Sequence, residues 1–107
     1  MPNTVQAAAE GMCNPLLQAI RAYKRSLAEF NFRSFDVDDD KWDDLADETY
    51  TPHLKTLSSW DQPATTAEEA RQALRITLIE DGGVKGCDAA VKAMVSAAYG
   101  YLKEIAA

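Results

Sequence analysis

The sequence predicts an all-α domain of four helices, packed like a bundle around an antiparallel helical hairpin. Apolar residues recur at spacings of three and four, capping residues precede the apolar runs, and no segment alternates apolar and polar residues between hairpin turns. A chain of 107 residues has room for one hydrophobic core. Residues 14 to 107 are therefore expected to form a single helical domain, and residues 1 to 13 an N-terminal arm, either helical or loose.

The first helix is expected over residues 15 to 33. Asn14 can cap its start, and Pro15 suits the first helical position, where no backbone N–H is needed. The apolar stripe comprises Leu16, Ile20, Tyr23, Leu27 and Phe30. The charged residues on its other faces are Arg21, Lys24, Arg25, Arg33 and Glu29. The outer surface of this helix is therefore predicted to be basic.

The second helix is expected over residues 38 to 58, beginning among the aspartates. Its buried face is predicted to include Trp42, Leu45, Ala46, Thr49, Tyr50, Leu54 and Leu57. Pro52 removes one backbone donor and disfavours helical geometry in the residue before it. We therefore expect a kink or a break near Tyr50 and Thr51.

The last two helices are expected over residues 66 to 81 and 86 to 105. The third helix opens with two overlapping Thr-x-x-Glu capping patterns, at residues 65 to 69, and is expected to end at Gly82 and Gly83. Its inner stripe is predicted to comprise Ala70, Leu74, Thr77 and Leu78. The inner stripe of the fourth helix is predicted to comprise Val84, Cys87, Val91, Met94, Ala98, Tyr101 or Leu102, and Ile105.

The net charge of -6 is concentrated in residues 36 to 48, called the acidic segment below. This segment holds eight acids and one lysine, so it carries -7 and the rest of the chain carries +1. With a sequence pI of about 4.6, the chain lacks the basic stripe that domains gripping a phosphate backbone usually show. No direct nucleic-acid binding is expected.

No membrane or export signal is recognisable in the sequence. The N-terminus has neither a basic leader nor a secretory apolar run, and nowhere do about 18 consecutive apolar residues occur. A cytoplasmic protein without membrane association is expected. Cys13 and Cys87 could pair, but reduced thiols are expected in that compartment.

The acidic segment places aspartates where an EF-hand loop has its calcium ligands. Counted from Asp36, the first, third, fifth, ninth and twelfth positions hold Asp36, Asp38, Asp40, Asp44 and Asp47. The match fails at the sixth position, where Lys41 replaces the glycine of the sharp turn, and at the eighth, where Asp43 replaces an apolar residue. Asp47 is also shorter than the bidentate glutamate that usually closes the loop. A calcium site at these residues stays an alternative.

Two other interpretations of the acidic segment are open. Aspartates at a helix N-terminus can cap backbone N–H groups and interact well with the helix dipole, while Arg33 and Arg25 face them across the predicted hairpin. Alternatively, the segment is a partner surface, either for a basic protein or as a mimic of a phosphate chain. The candidate partner surface comprises Asp38, Asp39, Asp40, Asp43 and Asp44.

The sequence offers little for catalysis. His53 is the only histidine, and no glycine-rich phosphate loop or Cys/His metal cluster is present. No catalytic residue and no cofactor are predicted. Tyrosines and tryptophans could line a small-ligand pocket, although aromatics at helical spacing more often belong to a core. The predicted function is a non-enzymatic helical interaction or assembly module, acting on a protein partner or a second copy, with a small-ligand or calcium-binding protein as the alternative.

Three motifs resemble those of a group of short, uncharacterised α-proteobacterial and prophage-associated helical proteins. The motifs are "NPLLQAIRAYKRSLAEF", "W-x-x-L-A-D-E" and "P-A-T-T-x-E-E-A-x-x-A-L". The resemblance covers about residues 14 to 103 and implies a bacterial helical protein. The chain departs from the pattern at Tyr23, where the group tends to have histidine, and at Pro52, within a helix that is usually unbroken. The group has no established activity, so the resemblance implies no functional residue.

Overall fold

The structure, a computed structural model, describes residues 14 to 79, 83 to 84 and 86 to 106. Within these residues the chain forms five α-helices and no β-strand, which confirms the all-α fold class. The helices are α1 (Pro15–Arg33), α2 (Trp42–Glu48), α3 (Thr51–Ser58), α4 (Ala67–Leu78) and α5 (Asp88–Ala106). The N-terminal arm predicted for residues 1 to 13 lies outside the described residues. Among the described helices, none is long and apolar enough to cross a membrane.

Four of the helices form a ring in which each packs against two neighbours. α1 packs against α3 and α4, and α5 packs against the same two helices. Tyr50, just before α3, stacks edge-to-face on Phe30 near the end of α1, so these two helices run antiparallel, as the predicted hairpin requires. The Ala64 N–H, just before α4, donates to the Ala97 carbonyl in the second half of α5, at 2.9 Å. α4 and α5 therefore also run antiparallel.

The core inside this ring combines a few large side chains with many alanines. The largest fully buried side chains are Leu16, Ile20, Leu57, Ile76, Met94 and Glu69. The buried alanines of α4 and α5 are Ala70, Ala73, Ala90, Ala93, Ala97 and Ala98. Such small side chains let two helix backbones approach closely, and the α4–α5 contact is the most extensive in the bundle.

The second helix predicted over residues 38 to 58 is divided into two α-helices. Asp39–Lys41 forms a 3₁₀-helix, and α2 begins only at Trp42. The helix ends at Thr49, whose φ of -109° and ψ of -89° leave the helical region. The buried Thr49 hydroxyl donates to the Leu45 carbonyl at 2.7 Å, which satisfies an acceptor at the end of α2. Pro52 lies in the first turn of α3, and the predicted break is confirmed.

The third helix ends before the predicted position. α4 stops at Leu78 rather than at residue 81, because the Ile79 backbone is extended, with φ -76° and ψ 143°. Gly82, one of the two predicted stop residues, lies outside the described residues. At Gly83 an added Cβ would lie 2.5 Å from the Ile79 carbonyl oxygen, so glycine is needed there for close approach of two backbone segments. The fourth helix, predicted from residue 86, begins at Asp88.

The inner face of α4 differs from the predicted one. The residues buried on α4 are Glu69, Ala70, Ala73 and Ile76. Of the predicted stripe only Ala70 is buried, while Leu78 is 74% exposed. The prediction relied on apolar residues alone and therefore placed the leucines on the inner face. In the structure the helix is rotated so that a charged residue, Glu69, faces the core. The prediction for this face was wrong for that reason.

Candidate interaction surface

The aspartates of the acidic segment are exposed and unpaired. Within the described residues, no side-chain hydrogen bond or ion pair involves Asp36, Asp38, Asp39, Asp40, Asp43, Asp44 or Asp47. The remaining acid, Glu48, accepts from Arg33 at 3.2 Å. The structure therefore leaves seven carboxylates of one short stretch facing solvent.

The capping interpretation explains only part of this acidity. Asp38 precedes the 3₁₀-helix Asp39–Lys41, and Lys41 precedes α2, yet neither position makes a side-chain cap hydrogen bond. Asp43 and Asp44 lie in the first turn of α2, where the positive end of the helix dipole favours a carboxylate. Asp36, Asp39 and Asp40 lie only in the first turns of the short 3₁₀-helices Ser34–Asp36 and Asp39–Lys41, which have no side-chain cap hydrogen bond.

Arg33 joins the end of α1 to the acidic segment. Its guanidinium donates to Glu29 at 3.0 Å and to Glu48 at 3.2 Å. The hydrogen bonds that Arg33 donates to Glu29 first, and to Glu48 second, raise its pKa above the ordinary value. Arg33 thus faces the segment as predicted, whereas Arg25 forms no ion pair in the part of the chain that the structure describes.

Exposed aromatic rings flank the aspartates. Phe32 is 79% exposed, Phe35 is 88% exposed, and Trp42, predicted to be buried, is 42% exposed. The Trp42 indole N–H donates to the Val37 carbonyl at 3.1 Å, which fixes the ring against the segment. We call Phe32, Phe35, Trp42 and the seven unpaired aspartates the acidic–aromatic surface. The exposure of Phe32 and Phe35 could have been predicted from the sequence, because neither residue belongs to the apolar stripe of the first helix.

A shallow cleft lies at the base of this surface. Its volume is about 260 Å³. The residues that line it are Arg33, Val37, Lys41, Asp44, Leu45 and Glu48. Both charge signs and two aliphatic side chains meet there, so the cleft suits the end of a protein side chain better than a metal ion.

The predicted calcium ligands do not form an ion-binding group. Within the described residues, no set of three or more His, Cys, Asp or Glu side chains is placed to hold a metal ion. Asp44 and Asp47 belong to α2, so the stretch is helical where an EF-hand loop would curl around its ion. The calcium hypothesis gains no support from this geometry and stays a hypothesis.

The aromatic residues proposed for a small-ligand pocket are mostly part of the packing. Tyr50 stacks edge-to-face on Tyr23 and on Phe30, with centroid distances of 6.4 and 5.1 Å. The Tyr23 hydroxyl donates to the Gly83 carbonyl at 3.0 Å, and burial raises the pKa of this tyrosine. Tyr99 is 64% exposed, whereas Tyr101 is partly buried against the core.

Cys87 is not part of the candidate surface. Cys13 lies outside the described residues, so its pairing with Cys87 stays a hypothesis. The Cys87 thiol is half-buried and lies 3.5 Å from the Ser58 hydroxyl oxygen.

Comparisons with models of protein families, with curated proteins and with solved structures give no match to this chain. The function must therefore be inferred from the chain's own surface.

Proposed function

We propose that the chain is a non-enzymatic interaction module whose acidic–aromatic surface binds a basic segment of a protein partner. The observation that carries the proposal is the set of seven exposed aspartates without a partner among the described residues. Like charges held close together oppose the compact state through self-repulsion. A cationic partner would remove that repulsion on binding, which favours the bound form.

The aromatic rings add affinity and specificity that charge alone does not provide. Exposed charge pairs contribute only about 0 to 1 kcal/mol each, so a purely ionic contact is weak and unspecific. Phe32, Phe35 and Trp42 offer apolar area beside the carboxylates, and aromatic residues are the usual anchors of interfaces. Charge would accelerate the encounter, and the rings would then slow dissociation.

The proposal includes a bacterial cytoplasmic setting, in line with the sequence resemblance. Thiols such as that of Cys87 stay reduced in the cytoplasm.

A titration with a defined probe tests the proposal. The probe is a fluorescein-labelled, lysine-rich peptide, whose anisotropy rises on binding. The triple variant Asp39→Asn/Asp40→Asn/Asp43→Asn is expected to weaken binding by about tenfold or more, because it removes three of the seven unpaired charges. The matched control, Asp61→Asn/Asp88→Asn/Glu104→Gln, makes the same charge change elsewhere on the surface and should bind like the wild type.

A third variant separates the aromatic contribution. Phe35→Ala leaves the net charge unchanged, so weaker binding by this variant at high salt would show that the exposed ring contacts the peptide. Equal binding by the two triple variants would show that only the net charge matters, and the proposed surface would then be wrong.

A further inference from the structure

A cationic face lies on α1 and α4, on a part of the molecule separate from the acidic–aromatic surface. We call the following five residues the cationic face: Arg21, Lys24, Arg25, Arg71 and Arg75. The two helices are joined there by the Lys24 amine, which lies 3.5 Å from the Gln72 side-chain oxygen. Arg71 and then Gln72 lower the pKa of Glu68 most, and Arg21 adds a small attraction, so the Arg21 charge lies on the α4 side of this seam.

The described residues neutralise only part of the charge of the cationic face. Among the described residues of α1 and α4 near this seam, Glu68 is the acid, and it is held by Arg71 in a two-pronged pair at 3.0 and 2.8 Å. Arg21, Arg25 and Arg75 are exposed and form no ion pair with any described residue.

The chain's own acidic segment is too far away to fill this role. Arg25 and Arg21 precede Arg33, the residue that meets the segment, by 8 and 12 residues on one continuous helix. At 1.5 Å per residue, these separations correspond to roughly 12 to 18 Å along the helix. This exceeds the Debye length of about 8 Å at physiological ionic strength. Salt therefore screens most of the attraction between the two charged surfaces of one molecule.

We propose that the cationic face binds the acidic segment of a second copy of this chain. The inference rests on the proposed function, since it names the basic partner of the acidic–aromatic surface. The two surfaces have opposite charge, and most of their charged groups lack an ion-pair partner among the described residues of their own molecule. Because each molecule carries both surfaces, any solution of the protein contains them in equal amounts. No other partner is present in this fixed ratio. A phosphate chain fits less well, because the same molecule carries a net charge of -6 that repels it.

The exposed aromatic residues Phe32 and Trp42 belong to the acidic–aromatic surface. Phe32 is two helical turns beyond Arg25 on the outer side of α1, and it is exposed. Trp42, also exposed, lies within the acidic segment, where the guanidinium of an arginine from the second copy can stack on its indole ring. The contact joins two different surfaces, so it closes as a two-fold dimer when both contacts form at once and otherwise extends as a chain.

Sedimentation velocity of the full chain measures the self-association. At low salt the wild type is expected to self-associate with a dissociation constant of about 1 mM or lower. Raising the ionic strength from about 0.1 M to about 1 M should weaken association by about tenfold or more, because the Debye length falls from about 10 Å to about 3 Å.

Charge reversal identifies the surfaces. The acidic-segment variant Asp39→Lys/Asp40→Lys/Asp43→Lys and the cationic-face variant Arg21→Glu/Arg25→Glu/Arg75→Glu should each stay monomeric. The first changes the charge of the acidic segment from -7 to -1, and the second changes that of the cationic face from +5 to -1, so neither variant keeps both of the oppositely charged surfaces. An equimolar mixture of the two should restore a complex, because each variant then offers the charge that the other lacks. All six positions are exposed, and circular dichroism establishes that both variants fold. Lys92→Glu/Lys103→Glu, at exposed positions of α5, is the control and should associate like the wild type.

The outcomes separate this inference from the proposed function. A wild type that stays monomeric at low salt, or a mixture that fails to restore the complex, overturns self-recognition. If such a protein still binds the lysine-rich peptide through the acidic segment, the interaction module stands and its partner is another basic protein. If it binds neither, both proposals fail.

Discussion

Glu69 is the residue on which two helix beginnings depend. Its side chain is fully buried, and its carboxylate accepts the Leu17 N–H at 2.9 Å and both the N–H and the hydroxyl of Thr65 at 2.9 Å. In return, the Thr66 hydroxyl accepts the Glu69 N–H at 3.1 Å, as in the predicted capping pattern. Because Leu17 lies in the first turn of α1, one carboxylate satisfies donors at the N-terminal ends of α1 and α4.

Replacing Glu69 with alanine should therefore be costly. The Glu69→Ala variant leaves a space where the buried side chain was and three donors without their acceptor, and we expect the free energy of unfolding to fall by about 2 to 4 kcal/mol. Urea denaturation followed by circular dichroism measures the change. Glu68→Gln alters the adjacent, exposed glutamate and should shift the midpoint far less. Similar midpoints for the two variants would contradict the capping role of Glu69.

The adjacent Glu68 allows a test by pH. Hydrogen bonds from Arg71 first, and from Gln72 second, lower the pKa of Glu68 from 4.5 to about 2. A lowered pKa means that the folded state favours the ionised carboxylate. The contribution of the pair is therefore present above pH 4.5 and is lost as the pH falls through about 2.

Arg71→Ala should raise the pKa of Glu68 back toward 4.5, since it removes the largest cause of the shift. An NMR titration of the glutamate side chains at low salt measures this pKa directly. The pair is exposed, so added salt should diminish the difference between variant and wild type. A Glu68 pKa near 4.5 in the wild type would show that the two-pronged pair does not persist in solution.

At the scale of the elements, local signals predict well and packing signals predict poorly. The bounds of α1 are those expected, because Pro15 and a regular apolar stripe both act within the helix itself. The break in the second helix was also predictable, since Pro52 has no N–H to continue the hydrogen bonds of α2 and lies in the first turn of α3 instead. The face that α4 buries depends on a hydrogen bond between residues 17 and 69, which no local spacing reveals.

The contact between α5 and the turn before α4 depends on Gly100. A Cβ added at this position would lie 2.8 Å from the Pro63 Cβ and 3.4 Å from its Cα. Gly100→Ala gains about 1 kcal/mol in helix propensity, but displacing the Pro63 segment costs about 1 to 3 kcal/mol. We expect a net loss of about 1 kcal/mol in the free energy of unfolding.

Thermal unfolding of Gly100→Ala measures this loss. Gly86→Ala is the matched control, because an added Cβ meets nothing within 4 Å there. The control should unfold at or slightly above the wild-type temperature. A Gly100→Ala variant more stable than the wild type would show that α5 and Pro63 move apart easily.

At the scale of the whole molecule, the distribution of charged residues does not favour the stability of the isolated protein. Among the described residues, seven exposed aspartates of the acidic segment have no ion-pair partner, and neither do the exposed Arg21, Arg25 and Arg75 on α1 and α4. The sequence predicted the acidic segment as a candidate surface, because composition alone locates it. The sequence did not predict that these aspartates would form so few contacts with the rest of the chain. Their pairing depends on the positions of the side chains of α1 and α2 in the folded protein.

Neutralising part of the acidic segment should stabilise the isolated protein. Asp39→Asn/Asp40→Asn/Asp43→Asn reduces self-repulsion, so we expect the melting temperature to rise by about 2 °C at low salt. The rise should shrink at an ionic strength of about 1 M, where the repulsion is screened already. Differential scanning calorimetry provides both values. An unchanged melting temperature at low salt would mean that these carboxylates repel too weakly to favour a bound partner.

The alanine-rich contact between α4 and α5 also bears on the order in which the chain folds. A buried alanine loses no rotamer freedom, and nine residues join the two helices, so closing this loop costs little entropy. We expect this pair to be formed in the transition state, with α1 docking afterwards. In a denaturant chevron, Ala90→Gly should then mainly slow folding, and Ile20→Val should mainly accelerate unfolding. The last 44 residues would thus act as the folding nucleus onto which the basic first helix is added.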